Sequence, residues 1–182
     1  YKGAKPVMWS PVEQTALAEA EVEYKDITST SVYVRFPVIE GSNSALDGSS
    51  IIIWTTTPWT IPGNRAIAFG SKIAYGVYEI EAIKTRSLIR QGERVVIAES
   101  LFQSFAGHAG IEGWRQVASM GGKDLAGTLT RHPLYDSGYS TKAPLYEATF
   151  VSTDQGTGFV HIAPGHGADD FELGKEHGLE VP

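Results

Sequence analysis

Three consecutive threonines, Thr55-Thr56-Thr57, stand between Trp54 and Trp59, and the segment runs on through Pro58, Thr60, Ile61, Pro62 and Gly63 to Asn64. Hydroxyls, backbone N–H groups and indole faces at this density suit a small polar ligand with an apolar side chain. The donors fix its orientation and the indoles set its size. An ordinary β-edge accounts for the same residue types, because threonine and tryptophan favour strands in any case. A second stretch is denser still. Gly156-Thr157-Gly158 leads into Phe159-Val160-His161-Ile162, and Pro164-Gly165-His166-Gly167 then delivers Asp169 and Asp170.

Three chemistries compete for this second stretch. His161, His166, Asp169 and Asp170 are residue types that ligate zinc or a harder cation, but their spacing matches no standard ligand motif. Carboxylates at the start of a helix are explained by capping and by the helix dipole, so no metal is expected. A phosphate cradle fails too: Gly156-Thr157-Gly158 lacks the third glycine and precedes a strand, and two aspartates would repel an anion. The third reading is recognition of a cation. A carboxylate held by a helix start stays ionised and pairs with an ammonium group. With the threonine segment, this describes an amino-acid pocket: ammonium on Asp170, side chain against a tryptophan or His161, acyl group near the threonines. A satisfied core histidine is the plainer account of His161 alone, but two dense segments in one small chain weigh toward a site.

The elements that must position these residues are legible in outline. Ile51-Ile52-Ile53 reads as a buried strand running into the threonines, and Pro58 and Pro62 forbid a helix after it, leaving a rigid turn. Phe159–Ile162 reads as a short strand stopped by Pro164 and Gly165, followed by a helix to about His177. Residues 1–24 read as a separate unit, with Lys5–Pro11 extended and Val12–Tyr24 helical. In that helix Ser10 caps, Glu13 sits in the first turn, and Ala16, Leu17, Ala20 and Tyr24 form one stripe. Residues 25–182 form the main domain.

Within that domain, Ser31–Val38 is a strand that Pro37 places at an edge or an end. Gly41–Ser50 is a mobile polar turn region without hydrophobic anchors. Arg65–Phe69 and Tyr75–Ile80 read as a strand pair. Arg94–Ala98 is a strand leading into a helix, Glu99–Gly107. Gly121–Leu129 is a loop feeding a strand, and Leu145–Thr153 is a further strand.

Composition bounds the possibilities. With 182 residues and 42% apolar content there is material for one sizeable core, and 20 glycines with nine prolines point to a β-rich fold of many turns. The absence of cysteine excludes disulfides and thiolate metal sites. No run approaches the roughly 20 apolar residues that span a bilayer. A net charge of −6 without a basic run argues against an autonomous nucleic-acid-binding module, though not against an enzyme acting on one end of a nucleic acid. Tyr1-Lys2-Gly3 has no methionine and no signal pattern, and reads as an arbitrary start within a longer protein.

On the residues quoted, the chain resembles the editing insertion of the class I isoleucyl-tRNA synthetases over nearly its full length. The matches are Trp54 through Asn64, Gly156 through Asp170, and Lys5-Pro6-Val7-Met8-Trp9-Ser10-Pro11 to Tyr24, which resembles the parent enzyme's approach to the insertion. The related valyl and leucyl enzymes carry an arginine after two threonines at the first motif. Thr57-Pro58-Trp59 here favours the isoleucyl branch over a valyl- or leucyl-type domain. Gly63 stands where many relatives have alanine, a change expected to be harmless.

The resemblance implies an α+β fold, a β-rich, barrel-like editing domain with peripheral helices. It implies hydrolysis of valine wrongly attached to the isoleucine tRNA and of valyl-adenylate. The family is itself the standard illustration of the need: one methylene gives only about 150-fold discrimination, so a second, hydrolytic sieve is required. By resemblance, Asp170 holds the substrate's α-ammonium and Asp169 caps. His161 lines the valine side-chain pocket, and Trp54 and Trp59 flank the substrate and set pocket size. Thr55, Thr56 and Thr57 contact the aminoacyl and adenosine parts, and Asn64 supports their segment. No nucleophilic triad is present, so water attacks the ester directly, positioned by the Thr56 and Thr57 hydroxyls, Asp170 and the terminal ribose hydroxyl.

The implied partners are the 3′ end of isoleucine tRNA carrying valine, valyl-adenylate and the rest of a cytoplasmic parent synthetase, with no membrane. The domain itself is expected to need no cofactor, while the parent uses ATP and Mg. The alternative of another class is a non-catalytic insert that only binds the tRNA end.

Overall fold

The structure, a computed structural model, describes residues 6–181, so residues 1–5 of the opening segment and Pro182 lie outside the described residues. The helix expected over Val12–Tyr24 does not form. Trp9–Ser10 (β1) pairs instead with Thr15–Ala16 (β2) in a short antiparallel hairpin, with Gln14 at φ 55 in its turn, and Glu19–Glu21 adds one 3₁₀ turn. Two causes are visible. The Ser10 hydroxyl bonds the Glu13 carboxylate and accepts from the Glu13 N–H at 3.3 Å, closing a local turn. Val12 and Tyr24 are more than four-fifths exposed, so nothing covers the apolar stripe, and a short uncovered helix is marginal in water.

The remaining strands are Val32–Glu40 (β3), Ser49–Thr55 (β4), Ala66–Phe69 (β5), Ala74–Ile83 (β6), Arg94–Ala98 (β7), Ile111–Gly121 (β8), Leu129–Arg131 (β9), Lys142–Glu147 (β10) and Phe159–Ile162 (β11). They form one mixed sheet in the order β11-β5-β10-β9-β3-β4-β7-β6-β8, with parallel pairs β5/β10 and β4/β7. Two α-helices, Glu99–Ala109 (α1) and Ala168–Glu176 (α2), complete the described fold. The α+β class is as expected. The sheet curls far enough to bring β11 against β4, but no ladder joins β11 to β8 among the described residues, so it is an open sheet and not a closed barrel.

Several local readings are corrected by packing. Ala66–Phe69 does not pair with β6. It lies between β10 and β11, while β6 pairs with β7 and β8. The region Gly41–Ser50 is anchored: Leu46 is fully buried, Asn43 accepts from the Ala45 N–H to start a 3₁₀ turn, and Ser42 bonds Thr128. The strand β3 is internal to the sheet, yet Pro37 falls before the stretch paired with the three-residue β9, where no N–H is needed on that side. The eleven-residue β8 escaped the sequence reading because its polar Glu112, Arg115 and Gln116 carry no apolar run.

The core is built from β4 and its neighbours. Ile51, Ile52 and Ile53 are all buried, as are Ile67, Phe69, Tyr75, Val96 and Ile97. On α1 the buried Leu101, Phe102 and Phe105 close one side, and Phe102 stacks on Tyr78 with ring centroids 3.6 Å apart. Tyr75 is wholly buried. Its hydroxyl donates to the Gly158 carbonyl at 2.6 Å and accepts from the Gly70 N–H at 3.0 Å. That pair of bonds fixes the turn entering β11.

Candidate active site

The strand β4 brings Thr55 to the end of the sheet, and the chain then winds into a six-residue 3₁₀ helix, Pro58–Gly63, where a rigid turn without a helix was expected. Pro58 occupies the first helical position, where no N–H is required, and the tighter winding accommodates Pro62. Winding this way folds the hydroxyls onto one another. Thr55 Oγ1 accepts from the Thr57 N–H at 3.1 Å and lies 3.2 Å from Thr57 Oγ1, which is 3.5 Å from Thr60 Oγ1. Thr60 Oγ1 donates to the Thr57 carbonyl at 2.8 Å and meets His161 Nε2 at 2.8 Å. On the outer side, Ser29 Oγ donates to the Thr56 carbonyl at 3.0 Å.

The tautomer of His161 follows from its partners. The Asn64 side-chain amide donates to the Ala66 carbonyl at 2.8 Å and lies 3.3 Å from His161 Nδ1. An amide nitrogen that must face a carbonyl is a donor, so Nδ1 accepts and Nε2 carries the proton that goes to Thr60 Oγ1. Burial, reinforced by His166 and His132, pulls the His161 pKa down to about 4. The ring is therefore neutral at physiological pH. Asn64 is completely buried, and its Oδ1 has no partner among the described residues.

Asp170 stands in the first turn of α2. Its Oδ1 accepts from the Ala163 N–H, just beyond β11, at 2.7 Å, and Oδ2 makes no hydrogen bond among the described residues. A Cβ at Gly167 would collide with Oδ2, so glycine at that helix start is what lets the carboxylate fold back toward β11. Burial raises the Asp170 pKa, opposed by the Ala163 and Asp170 N–H groups. Asp169 is exposed and lines a different cavity, of about 770 Å³, with Glu147, Glu172 and Lys175. The two adjacent aspartates thus face different surroundings.

Thr55, Thr57, Asn64 and His161 are therefore joined in one hydrogen-bonded group, with Asp170 tied to the same strand end. Thr56 is exposed beside them. The tryptophans divide: Trp59 projects from the 3₁₀ helix with 68% of its surface exposed, whereas Trp54 is half-buried against Gly156. Three contributors lacked a sequence signal strong enough to assign a role. Thr60 links the threonines to His161. The buried His132 meets the Ile61 carbonyl through Nε2 at 2.9 Å, with Nδ1 accepting from the Leu134 N–H, so Nε2 is the donor. His166 lies over Gly63, where a Cβ would sit 3.2 Å from its ring. Alanine at position 63 would thus require this ring to shift. Among the described residues no group of three His, Cys, Asp or Glu side chains converges as a metal site, and no helix is long and apolar enough to cross a membrane.

A neutral imidazole, a hydroxyl chain and a half-buried carboxylate with one unpaired oxygen can bind an ammonium group and orient a polar ester beside it. Known proteins are similar to this chain in sequence and in fold. The chain is 47% identical over 184 residues to an isoleucine–tRNA ligase of Gluconobacter oxydans, matching 100% of this chain and 19% of that protein. It is 48% identical over 175 residues to an isoleucine–tRNA ligase of Rhodopseudomonas palustris, matching 95% of this chain and 17% of that one. The chain thus spans about a fifth of the length of the curated relatives it matches.

Among solved structures, GlLeuRS-CP1 superposes with a TM-score of 0.62 at 19% identity, over 81% of this chain and 60% of that one. The Plasmodium knowlesi cytosolic leucyl-tRNA synthetase editing domain gives 0.59 at 16%, over 81% and 62%. These likenesses establish the fold. Residues 1–163 match the family described as tRNA synthetases class I (I, L, M and V), and the chain belongs to that family.

Proposed function

We propose that this chain is the editing domain of an isoleucyl-tRNA synthetase and hydrolyses valine wrongly esterified to the isoleucine tRNA, together with valyl-adenylate. The observation that carries the reading is the joining of the two dense segments. Asp170 offers Oδ2 at the end of β11, the strand whose His161 is bonded to Thr60 and, through it, to Thr57 and Thr55. In this reading the substrate's α-ammonium pairs with Asp170, and the Thr56 and Thr57 hydroxyls position the acyl group and a water molecule. Water adds to the ester carbonyl carbon, the bond to the ribose oxygen breaks, and that oxygen leaves with a proton, releasing valine and the tRNA 3′ end.

His161, neutral and tethered at both nitrogens, serves as a wall of the side-chain pocket with Trp54 and Trp59. Thr57-Pro58-Trp59 and the identity to isoleucine–tRNA ligases support the isoleucyl branch over a valyl or leucyl one. The domain needs no cofactor of its own, while the parent enzyme, in the cytoplasm, uses ATP and Mg. Deacylation of valyl- and isoleucyl-tRNA by the full-length enzyme is the test. The reading requires the valyl ester to be cleaved in preference and the preference to vanish without Asp170. Equal, slow loss of both esters would leave only a binding insert.

A further inference from the structure

The turn that carries the candidate site is held from outside by one side chain. Ile61 lies inside the Pro58–Gly63 3₁₀ helix, and its carbonyl accepts two hydrogen bonds. One is the helix's own, from the Asn64 N–H at 2.9 Å. The other comes from His132 Nε2, also at 2.9 Å, across 71 residues of chain. A carbonyl oxygen has lone pairs for both. The two residues that grip His161 stand on either side of this carbonyl. Thr60, immediately before it, meets His161 Nε2 at 2.8 Å, and Asn64, whose N–H is bonded to it, has its side-chain amide 3.3 Å from His161 Nδ1. The place of the Ile61 peptide therefore sets both tethers of the imidazole.

His132 is itself immobilised. It follows β9, is 1% exposed, and takes the Leu134 N–H on Nδ1 at 3.1 Å. Tyr139 stacks on it, and Phe36 meets it edge-on with centroids 6.4 Å apart. Burial, with the charge of Arg65, holds its pKa below the usual histidine value against the pull of the Ile61 carbonyl, so the ring stays neutral at physiological pH. The Ile61 carbonyl already has the Asn64 N–H, so the second bond rescues no unsatisfied acceptor. What it adds is a fixed distance between the 3₁₀ helix and the end of β9. A side chain this deeply buried does not touch substrate, and its influence runs through the Ile61 peptide.

We propose that His132 is a positioning residue for the hydrolysis, holding the Ile61 peptide so that Thr60 and Asn64 keep His161 at the width that admits valine and excludes isoleucine. This rests on the hydrolytic reading above, in which His161 is a wall of the side-chain pocket. Three substitutions in the full-length enzyme separate what His132 contributes. In His132→Gln the amide nitrogen reaches the place of Nε2 and donates to Ile61, while nothing replaces Nδ1. In His132→Asn the amide oxygen takes the place of Nδ1 and accepts from Leu134, while nothing reaches Ile61. His132→Phe keeps the ring and loses both bonds. The readout is the ratio of kcat/KM for valyl-tRNA to that for isoleucyl-tRNA. Both esters meet the same preparation, so the ratio is insensitive to how much of a variant is folded. His132→Gln should keep the wild-type ratio within about twofold, whereas His132→Asn and His132→Phe should each lower it roughly tenfold, the size of one lost hydrogen bond. A ratio kept by His132→Phe and lost by His132→Gln makes His132 a packing residue and overturns the proposal, as does one ratio shared by all three variants. In either case a wild-type preference for the valyl ester leaves the hydrolytic reading standing. A wild-type enzyme that cleaves both esters equally overturns that reading, and the proposal with it.

Discussion

Replacing Asp170 by asparagine separates its structural bond from its charge. Oδ1 accepts from the buried Ala163 N–H at 2.7 Å, and an asparagine carbonyl can accept the same bond. Asp170→Ala instead leaves that N–H without its partner, at a cost of about 1–3 kcal/mol in stability. The charge is another matter. Burial raises the Asp170 pKa, so ionising the group is harder in the folded chain than in the unfolded one. Its favourable contribution is complete below the unfolded value near 3.8 and is lost as pH rises through the higher folded value. Asp170→Asn escapes that penalty. It should be at least as stable as wild type at pH 7, with the difference shrinking as pH falls through the raised folded value and gone below about 3.8.

For the reaction the sign reverses. Losing a charge-assisted contact to an ammonium removes about 1.5–3 kcal/mol, roughly 10- to 150-fold in deacylation of valyl-tRNA, and more if the pose is lost as well. Urea titrations at pH 7 and pH 3.5, run beside deacylation assays on the full-length enzyme, give both numbers. Asp170→Asn with wild-type deacylation would refute the role of the charge. Asp170→Asn as unstable as Asp170→Ala at pH 7 would refute the account of the Ala163 bond.

Four further outcomes are expected. The His161 pKa, pulled down to about 4, makes its stabilising contribution full above pH 6.5 and lost as pH falls toward 4. Wild type should therefore lose about 2–3 kcal/mol more than His161→Gln between pH 7 and pH 4 in urea titrations. Tyr75→Phe leaves the Gly158 carbonyl and Gly70 N–H unpaired and should cost about 2–5 kcal/mol, read as a lower urea midpoint at unchanged slope. Gly167→Ala forces the Asp170 carboxylate aside and off the Ala163 N–H, and should reduce valyl-tRNA deacylation at least tenfold at a cost of about 1–3 kcal/mol in stability. His161→Ala opens more space than the methylene that separates the two amino acids. It should cleave isoleucyl-tRNA about tenfold faster than wild type, a gain of ~1.4 kcal/mol; an unchanged isoleucyl rate with a collapsed valyl rate would move the size filter elsewhere, Trp59 first.

What the sequence by itself determined lies where neighbouring residues carry the information. The strand Phe159–Ile162, the helix beginning after Gly167, the helix at Glu99 and the buried isoleucines before Thr55 all came from local turn chemistry and apolar runs. The motifs themselves, Trp54 to Asn64 and Gly156 to Asp170, stood out as dense polar segments for the same reason. Tertiary structure decided how they combine. Thr60 and His161 are 101 residues apart, Tyr75 and Gly158 are 83 apart, and His132 reaches the Ile61 carbonyl over 71. A hydrogen bond over such a separation leaves no periodicity in the chain. The Thr60–His161 bond exists because β5, which follows Thr60, lies beside β11, a pairing set by which apolar faces can be buried together. The same rule works in reverse for Val12–Tyr24, whose helical pattern has no partner surface among the described residues to fold against. Burial also set the chemistry that residue type alone left open: it made His161 a neutral imidazole and left Asp170 with one oxygen tied and the other available.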